Sequence, residues 1–209
     1  MLQRVSFPVS GVAVEGILHL PDAETIGGVA VLGGRANDID SGTFLCAALA
    51  DAGVAALRFT YRMGGDVAAD LADAAGAVRL LRAHPVIPQR VGIAGHSYGG
   101  AIAGIAAGRD SRIRAAALLV PPAERDYLGA VKPMAELSRT RAKVLLVGAT
   151  ADAVVPPDHT ERYAVLLRQA GVAHRVVHIE GADHNFTLPA YRTAILETVT
   201  AWFKETLAG

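Results

Sequence analysis

The chain has 209 residues, with 20 Lys and Arg against 20 Asp and Glu, so its formal net charge is zero. Apolar residues make up 52% of it and charged residues 19%. That balance excludes a nucleic-acid binder, which needs a basic excess to displace phosphate counterions, and an acidic or disordered chain; it leaves enough apolar side chain for the core of one enzyme-sized domain. Cys46 is the only cysteine, which excludes an intramolecular disulfide framework and a cysteine metal cluster. The first eight residues lack the apolar h-region of a signal peptide, and no apolar stretch reaches the roughly 18–20 residues of a membrane span. The expectation is a soluble cytoplasmic protein.

In chain order, residues 4–8 and 12–20 read as two strands of an antiparallel hairpin joined through Ser10-Gly11. Residues 28–32 form an apolar run ending in Gly33-Gly34, as expected of a strand buried on both faces. Ser41 is the expected N-cap of a helix over residues 43–52, stopped by Gly53. Residues 54–61 are a strand. Val67–Ala83 is the clearest helix, with Val67, Leu71, Ala74, Ala75, Val78 and Leu81 on one face and Pro85 beyond its end. Residues 90–94 are a strand and 98–108 a helix rich in Ala and Gly. Residues 113–120 and Lys143–Ala149 are two further buried strands, with residues 121–142 polar and of no clear period between them. A helix over 159–170, a strand over 174–180 and an amphipathic helix over Pro189–Leu207 complete the chain. No repeat or flexible linker divides it. Strands alternating with helices predict a mostly parallel sheet covered on both faces, with the hairpin as an antiparallel edge and ligands at the C-terminal strand ends.

Chemistry gathers at those ends. After the strand over 90–94 the chain reads Gly95-His96-Ser97-Tyr98-Gly99-Gly100, a G-x-S-x-G pattern in strand–turn–helix context. The sharp turn would present the Ser97 hydroxyl at the top of the sheet. Gly95 and Gly99 would relieve crowding, and Gly100 would let the next helix pack close. An incidental serine in a glycine-rich turn is the bland reading, and the preceding buried strand argues against it.

A serine nucleophile needs a base, and the base a carboxylate to orient it. Of seven histidines, His19, His84, His159, His174 and His178 fall in or beside helices and strands. His96 is expected to point away from its neighbour Ser97. His184 stands in Gly181-Ala182-Asp183-His184-Asn185-Phe186, after the last strand. Alone it would pass for a solvated loop residue, but the order Ser, Asp, His makes it the candidate base. Asp152, just past the strand Lys143–Ala149, is the candidate acid. Asp183 ranks second, because neighbours in an extended loop point apart, and Asp158 is a possible helix cap. The oxyanion would be held by the backbone N–H groups of Tyr98 and of Arg35, in the loop after Gly33-Gly34. No dinucleotide fingerprint and no metal-ligand spacing is present, so neither a cofactor nor a metal is expected.

These elements, with Arg58-Phe59-Thr60-Tyr61-Arg62 and Val155-Pro156, resemble the α/β-hydrolase superfamily, and more narrowly its small dienelactone-hydrolase-like serine esterases, from about Val12 to Phe203. The resemblance implies an α/β-hydrolase fold with Ser97 as nucleophile, His184 as base and Asp152 as its orienting acid. Two departures stand out. Family members commonly carry His-Gly where this chain has Gly33-Gly34, and dienelactone hydrolases proper look like cysteine-nucleophile enzymes, which speaks against dienelactone as substrate. Residues 121–142 occupy the place where many relatives insert a cap domain, but are too few for one. The expectation is a single domain over residues 1–209, with a shallow pocket floored by Ser97 and rimmed by 121–142, Arg35 and Met63.

Gly34, Met63, Tyr127 and Leu128 are candidate substrate contacts, with plain rim packing the alternative for the last two. Arg35, Arg62 and Lys132 could draw an anionic substrate, although solvated surface charge is the simpler reading. The leading expectation is hydrolysis of small to medium acyl esters through an acyl-enzyme, zero net charge suiting a neutral ester. Thioester, amide or lactone cleavage, or acyl transfer, would use the same triad, and a non-catalytic binding protein on this fold is the third reading. The oligomeric state is open between monomer and homodimer.

Overall fold

The computed structural model describes residues 1–35, 38–124, 128–129 and 131–208. Strands β1 (Leu2–Val9) and β2 (Val12–His19) pair antiparallel around Ser10 and Gly11, whose φ angles of 50° and 80° give the turn a hand that matches strand twist. Six more strands follow: β3 (Gly27–Leu32), β4 (Val54–Phe59), β5 (Val91–His96), β6 (Ile113–Leu119), β7 (Lys143–Ala149) and β8 (His174–Ile179). They join one eight-stranded sheet in the order β1-β2-β4-β3-β5-β6-β7-β8, antiparallel where β2 meets β4 and parallel from β4 to β8.

The helices are α1 (Thr43–Asp51), α2 (Val67–Ala83), α3 (Tyr98–Arg109), α4 (Pro133–Leu137), α5 (Asp158–Gln169) and α6 (Pro189–Leu207). Every residue of β3 and β4 is buried, which requires cover on both sides of the sheet. Alternation along the strands divides the core in two. On one face Val29, Val31 and Val54 pack against Cys46 and Leu49 of α1 and Val199 and Phe203 of α6. On the other, Ala30, Leu32 and Leu57 pack against α2, α3, α4 and α5 through Leu81, Ile102, Leu137 and Tyr163. This is the architecture that the resemblance implies, and the described residues hold no large cap.

One local expectation needs correction. Ser41 does not cap α1: the N-cap is Gly42 at φ 77°, with no side-chain cap bond, while the Ser41 hydroxyl donates to Asp38 Oδ1 at 3.1 Å. A left-handed cap brings the chain so close to β3 that a Cβ at Gly42 would stand 2.8 Å from Val31 Cγ1, so the position favours glycine over a capping serine. The stretch between β6 and β7, in which the sequence leaves room for a loop and a short helix, carries such a helix. It holds α4, where Gly108 of α3 lets the backbone of Glu136 approach closely and Arg109 Nη2 donates to Glu136 Oε1 at 2.7 Å.

Candidate active site

Strand β5 ends at His96, and the chain then turns sharply into α3 through Ser97, at φ 55° and ψ −122°. A side chain at positive φ is strained, and the turn is held by the Ser97 N–H donating to Leu119 O of β6 at 2.9 Å. The tight approach explains the flanking glycines. A Cβ at Gly95 would stand 2.1 Å from Gly99 O, and one at Gly99 2.2 Å from Gly33 O. Gly99 thereby seats the nucleophile's turn directly against the loop after β3. Val120 and Phe186, both at positive φ (44° and 50°), border the same end of the sheet.

Asp152 follows β7, and its carboxylate is fixed before it meets any partner: Oδ1 accepts the N–H groups of Val154 and Val155, each at 2.8 Å. Its other oxygen lies 2.7 Å from His184 Nδ1, and the side chain is only 1% exposed. With Nδ1–H donating to that carboxylate, the lone pair of His184 Nε2 faces Ser97 Oγ at 2.9 Å. The loops carrying acid and base are also tied to one another, by Ala151 N–H donating to Ala182 O and Gly181 N–H donating to Thr150 Oγ1. Ser97, His184 and Asp152 therefore form one hydrogen-bonded chain at the C-terminal end of the sheet.

The competing acids do other work. Asp183 accepts from the N–H groups of Asn185 and Thr187 and so shapes the His184 loop, while Asp158 is the first residue of α5 rather than its cap, which is Pro157. His19 meets Arg58, His159 accepts from Ala123 N–H, and His178 faces Glu161. His96 is the residue that the sequence reading set aside. Its ring lies 5.0 Å from that of His184, and its Nε2–H donates to His184 O at 2.8 Å. Burial holds its pKa below the ordinary histidine value, so the ring is neutral at pH 7. No sequence spacing pointed to it, because its partner is 88 residues away.

The Tyr98 phenol donates to Asp70 Oδ2 at 2.7 Å, and the same oxygen accepts Gly65 N–H at 2.9 Å. Burial and the neighbouring carboxylate raise the Tyr98 pKa, and burial raises that of Asp70. Arg35 lies against Gly64 and Gly65, where a Cβ would stand 2.3 Å from Arg35 O and 3.0 Å from Arg35 Nη2 respectively.

The substrate-contact candidates separate. Gly34 lines a cavity beside the nucleophile's turn, and Met63 is 61% exposed. Leu128 is 2% exposed and packs into the core. Tyr127 lies outside the described residues. Arg62 is drawn inward to the fully buried Asp73 and to Val9 O, so its charge serves packing. Among the described residues, no three His, Cys, Asp or Glu side chains group as metal ligands.

The model of the dienelactone hydrolase family matches residues 55–206. The chain belongs to that family. The match begins within β4, so the Gly33-Gly34 loop lies outside it. Solved structures carry the fold further: Est1E from Butyrivibrio proteoclasticus is 17% identical, with 99% of each chain covered at a TM-score of 0.85. A putative dienelactone hydrolase from Klebsiella pneumoniae is 20% identical over 98% of each chain at 0.87, and a dienelactone hydrolase from Anabaena variabilis 22% identical over 99% and 98% at 0.78. At these identities the likeness establishes the architecture. No curated protein matches the sequence. Family membership supports hydrolase chemistry, and no helix among the described residues is long and apolar enough to cross a membrane.

Proposed function

We propose that the protein is a serine carboxylesterase acting on neutral esters through an acyl-enzyme. The observation that carries the reading is the unbroken Asp152–His184–Ser97 chain, at 2.7 and 2.9 Å, ending on a serine held at positive φ. Ser97 Oγ attacks the ester carbonyl as its proton passes to His184 Nε2, and Asp152 stabilises the imidazolium that forms. The backbone N–H groups of Tyr98 and Arg35 bind the developing oxyanion. The imidazolium then protonates the leaving alkoxide, and the alcohol departs. Water, deprotonated by His184, attacks the acyl-Ser97 ester, and collapse releases the acid and restores Ser97. The whole chain acts as one domain, with residues 121–142 as a minimal rim.

Hydrolysis of p-nitrophenyl acetate and butyrate tests this. Ser97→Ala lowers kcat on the order of 10^4-fold or more, and a fluorophosphonate labels the wild type at Ser97 alone. Equal rates in wild type and Ser97→Ala would overturn the reading.

A further inference from the structure

A cavity of about 600 Å³ opens beside the nucleophile's turn on the α1 and α6 side of the sheet. Gly33 and Gly34 wall it on one side, and Gly95 and His96, the two residues before Ser97, on another. The apolar lining includes Leu45 of α1, Phe186, and Ile195 and Leu196 of α6. Phe44, 73% exposed, stands at the wall as well, and a Cβ at Gly34 would meet open space. Polar groups line it as well, among them Asp40 and Ser41 before α1, His96, Asn185 of the His184 loop, and Arg192 of α6. A few hundred cubic ångströms with mainly apolar walls and sparse polar groups is the form of a small-molecule site.

We infer that this cavity receives the hydrocarbon arm of the ester, so that the protein selects medium-chain substrates. The inference rests on the esterase reading above and adds its substrate class. The cavity walls include Gly33 and Gly34 of the loop after β3 and Gly95 and His96, which lead into Ser97, so the cavity neighbours the centre that would hold the scissile carbonyl. Each methylene transferred from water to these walls raises kcat/KM by up to about fourfold, until the cavity is filled. The acyl and the alcohol portions of an ester offer the same chemistry to the cavity, and two substrate series separate them.

The first series is p-nitrophenyl esters from acetate to dodecanoate, which vary the acyl chain. The second is acetate esters of straight-chain alcohols from ethanol to dodecanol. In wild type, one series rises in kcat/KM by at least about thirtyfold between the two-carbon and eight-carbon members. Leu196→Trp, which fills the cavity from α6, cuts that eight-to-two ratio at least tenfold. Thr193→Trp, at an exposed position of the same wall, does so without burden on the core, and Val86→Trp, on an exposed loop, keeps the wild-type ratio. Octan-2-one, titrated calorimetrically into Ser97→Ala, binds saturably, and Leu196→Trp added to that protein weakens the binding at least tenfold. Flat profiles in both series together with Ser97-dependent acetate hydrolysis overturn the cavity inference and leave the esterase standing. Ketone binding without any Ser97-dependent hydrolysis overturns the esterase and leaves the cavity as a hydrocarbon site.

Discussion

At the scale of single residues, the two backbone groups proposed to hold the oxyanion share an anchor that neither supplies alone. Tyr98 is tied through its phenol to Asp70, Asp70 holds Gly65, and Arg35 lies against the Gly64-Gly65 turn. Removing the phenol in Tyr98→Phe deprives a buried carboxyl of one of its donors, and such losses cost about 1–3 kcal/mol. The expected result is a lower urea midpoint by that amount and a severalfold lower kcat on p-nitrophenyl acetate, because both donors shift. A variant with wild-type stability and kcat would show the anchor to be idle. His96 acts on the base instead. His96→Ala frees the carbonyl of His184, and kcat should fall roughly tenfold with KM little changed, while the conservative His96→Gln, which can still donate to that carbonyl, recovers most of the rate. These residues also mark the limit of the sequence. That Ser97, Asp152 and His184 would meet was legible because each follows the C-terminal end of a strand, in the order Ser, Asp, His. Asp70 and His96 were not, because their roles arise only when partners 28 and 88 residues away are folded against them.

At the scale of elements, legibility followed burial. The bounds of α2, α6 and β7 agree with the sequence pattern, because a face fully enclosed by a sheet or a strand enclosed on both sides leaves an unambiguous period. The cap of α1 and the bounds of α4 could not be read from the sequence for one shared reason. Both are set by how closely another backbone approaches, which a one-dimensional pattern does not carry. Gly42 yields to Val31, and Gly108 yields to the carbonyl of Glu136, where a Cβ would stand 2.0 Å from the oxygen. Gly108→Ala should therefore push α4 away from α3 and lower stability by about 1–3 kcal/mol, as overpacking does. Catalysis on p-nitrophenyl acetate is expected to persist, because α4 contributes no residue to the Ser97–His184–Asp152 chain. Chemical denaturation with a parallel activity assay separates the two effects, and an unchanged midpoint would mean that the contact between α3 and α4 gives way at no cost.

At the scale of the whole molecule, the edge hairpin reaches the active-site end through one buried cation. Arg58 of β4 is 5% exposed. It donates from Nε to His19 Nε2 at 3.0 Å, and from its terminal nitrogen to Ile39 O and Asp40 Oδ1 in the loop that borders the cavity. His19 must stay neutral to accept that bond. Burial, together with the charge of Arg58 and of the N-terminal amine, pushes its pKa down from 6.5 to about 4. Between those values the unfolded chain binds a proton that the folded chain refuses, so stability falls as pH drops from 6.5 towards 4 and changes no further from this source below it. Replacing the imidazole by a neutral acceptor in His19→Gln keeps a partner for Arg58 and removes the titration. Thermal unfolding followed at half-unit steps from pH 7 to pH 4 should then show a shallower decline in Tm for the variant than for the wild type, with the curves diverging first below pH 6.5. Other acid-sensitive groups act equally in both proteins and cancel in the difference. Parallel curves over that window would mean that His19 takes up its proton in the folded state as readily as in the unfolded chain, and that the link from hairpin to cavity loop survives a charged imidazole.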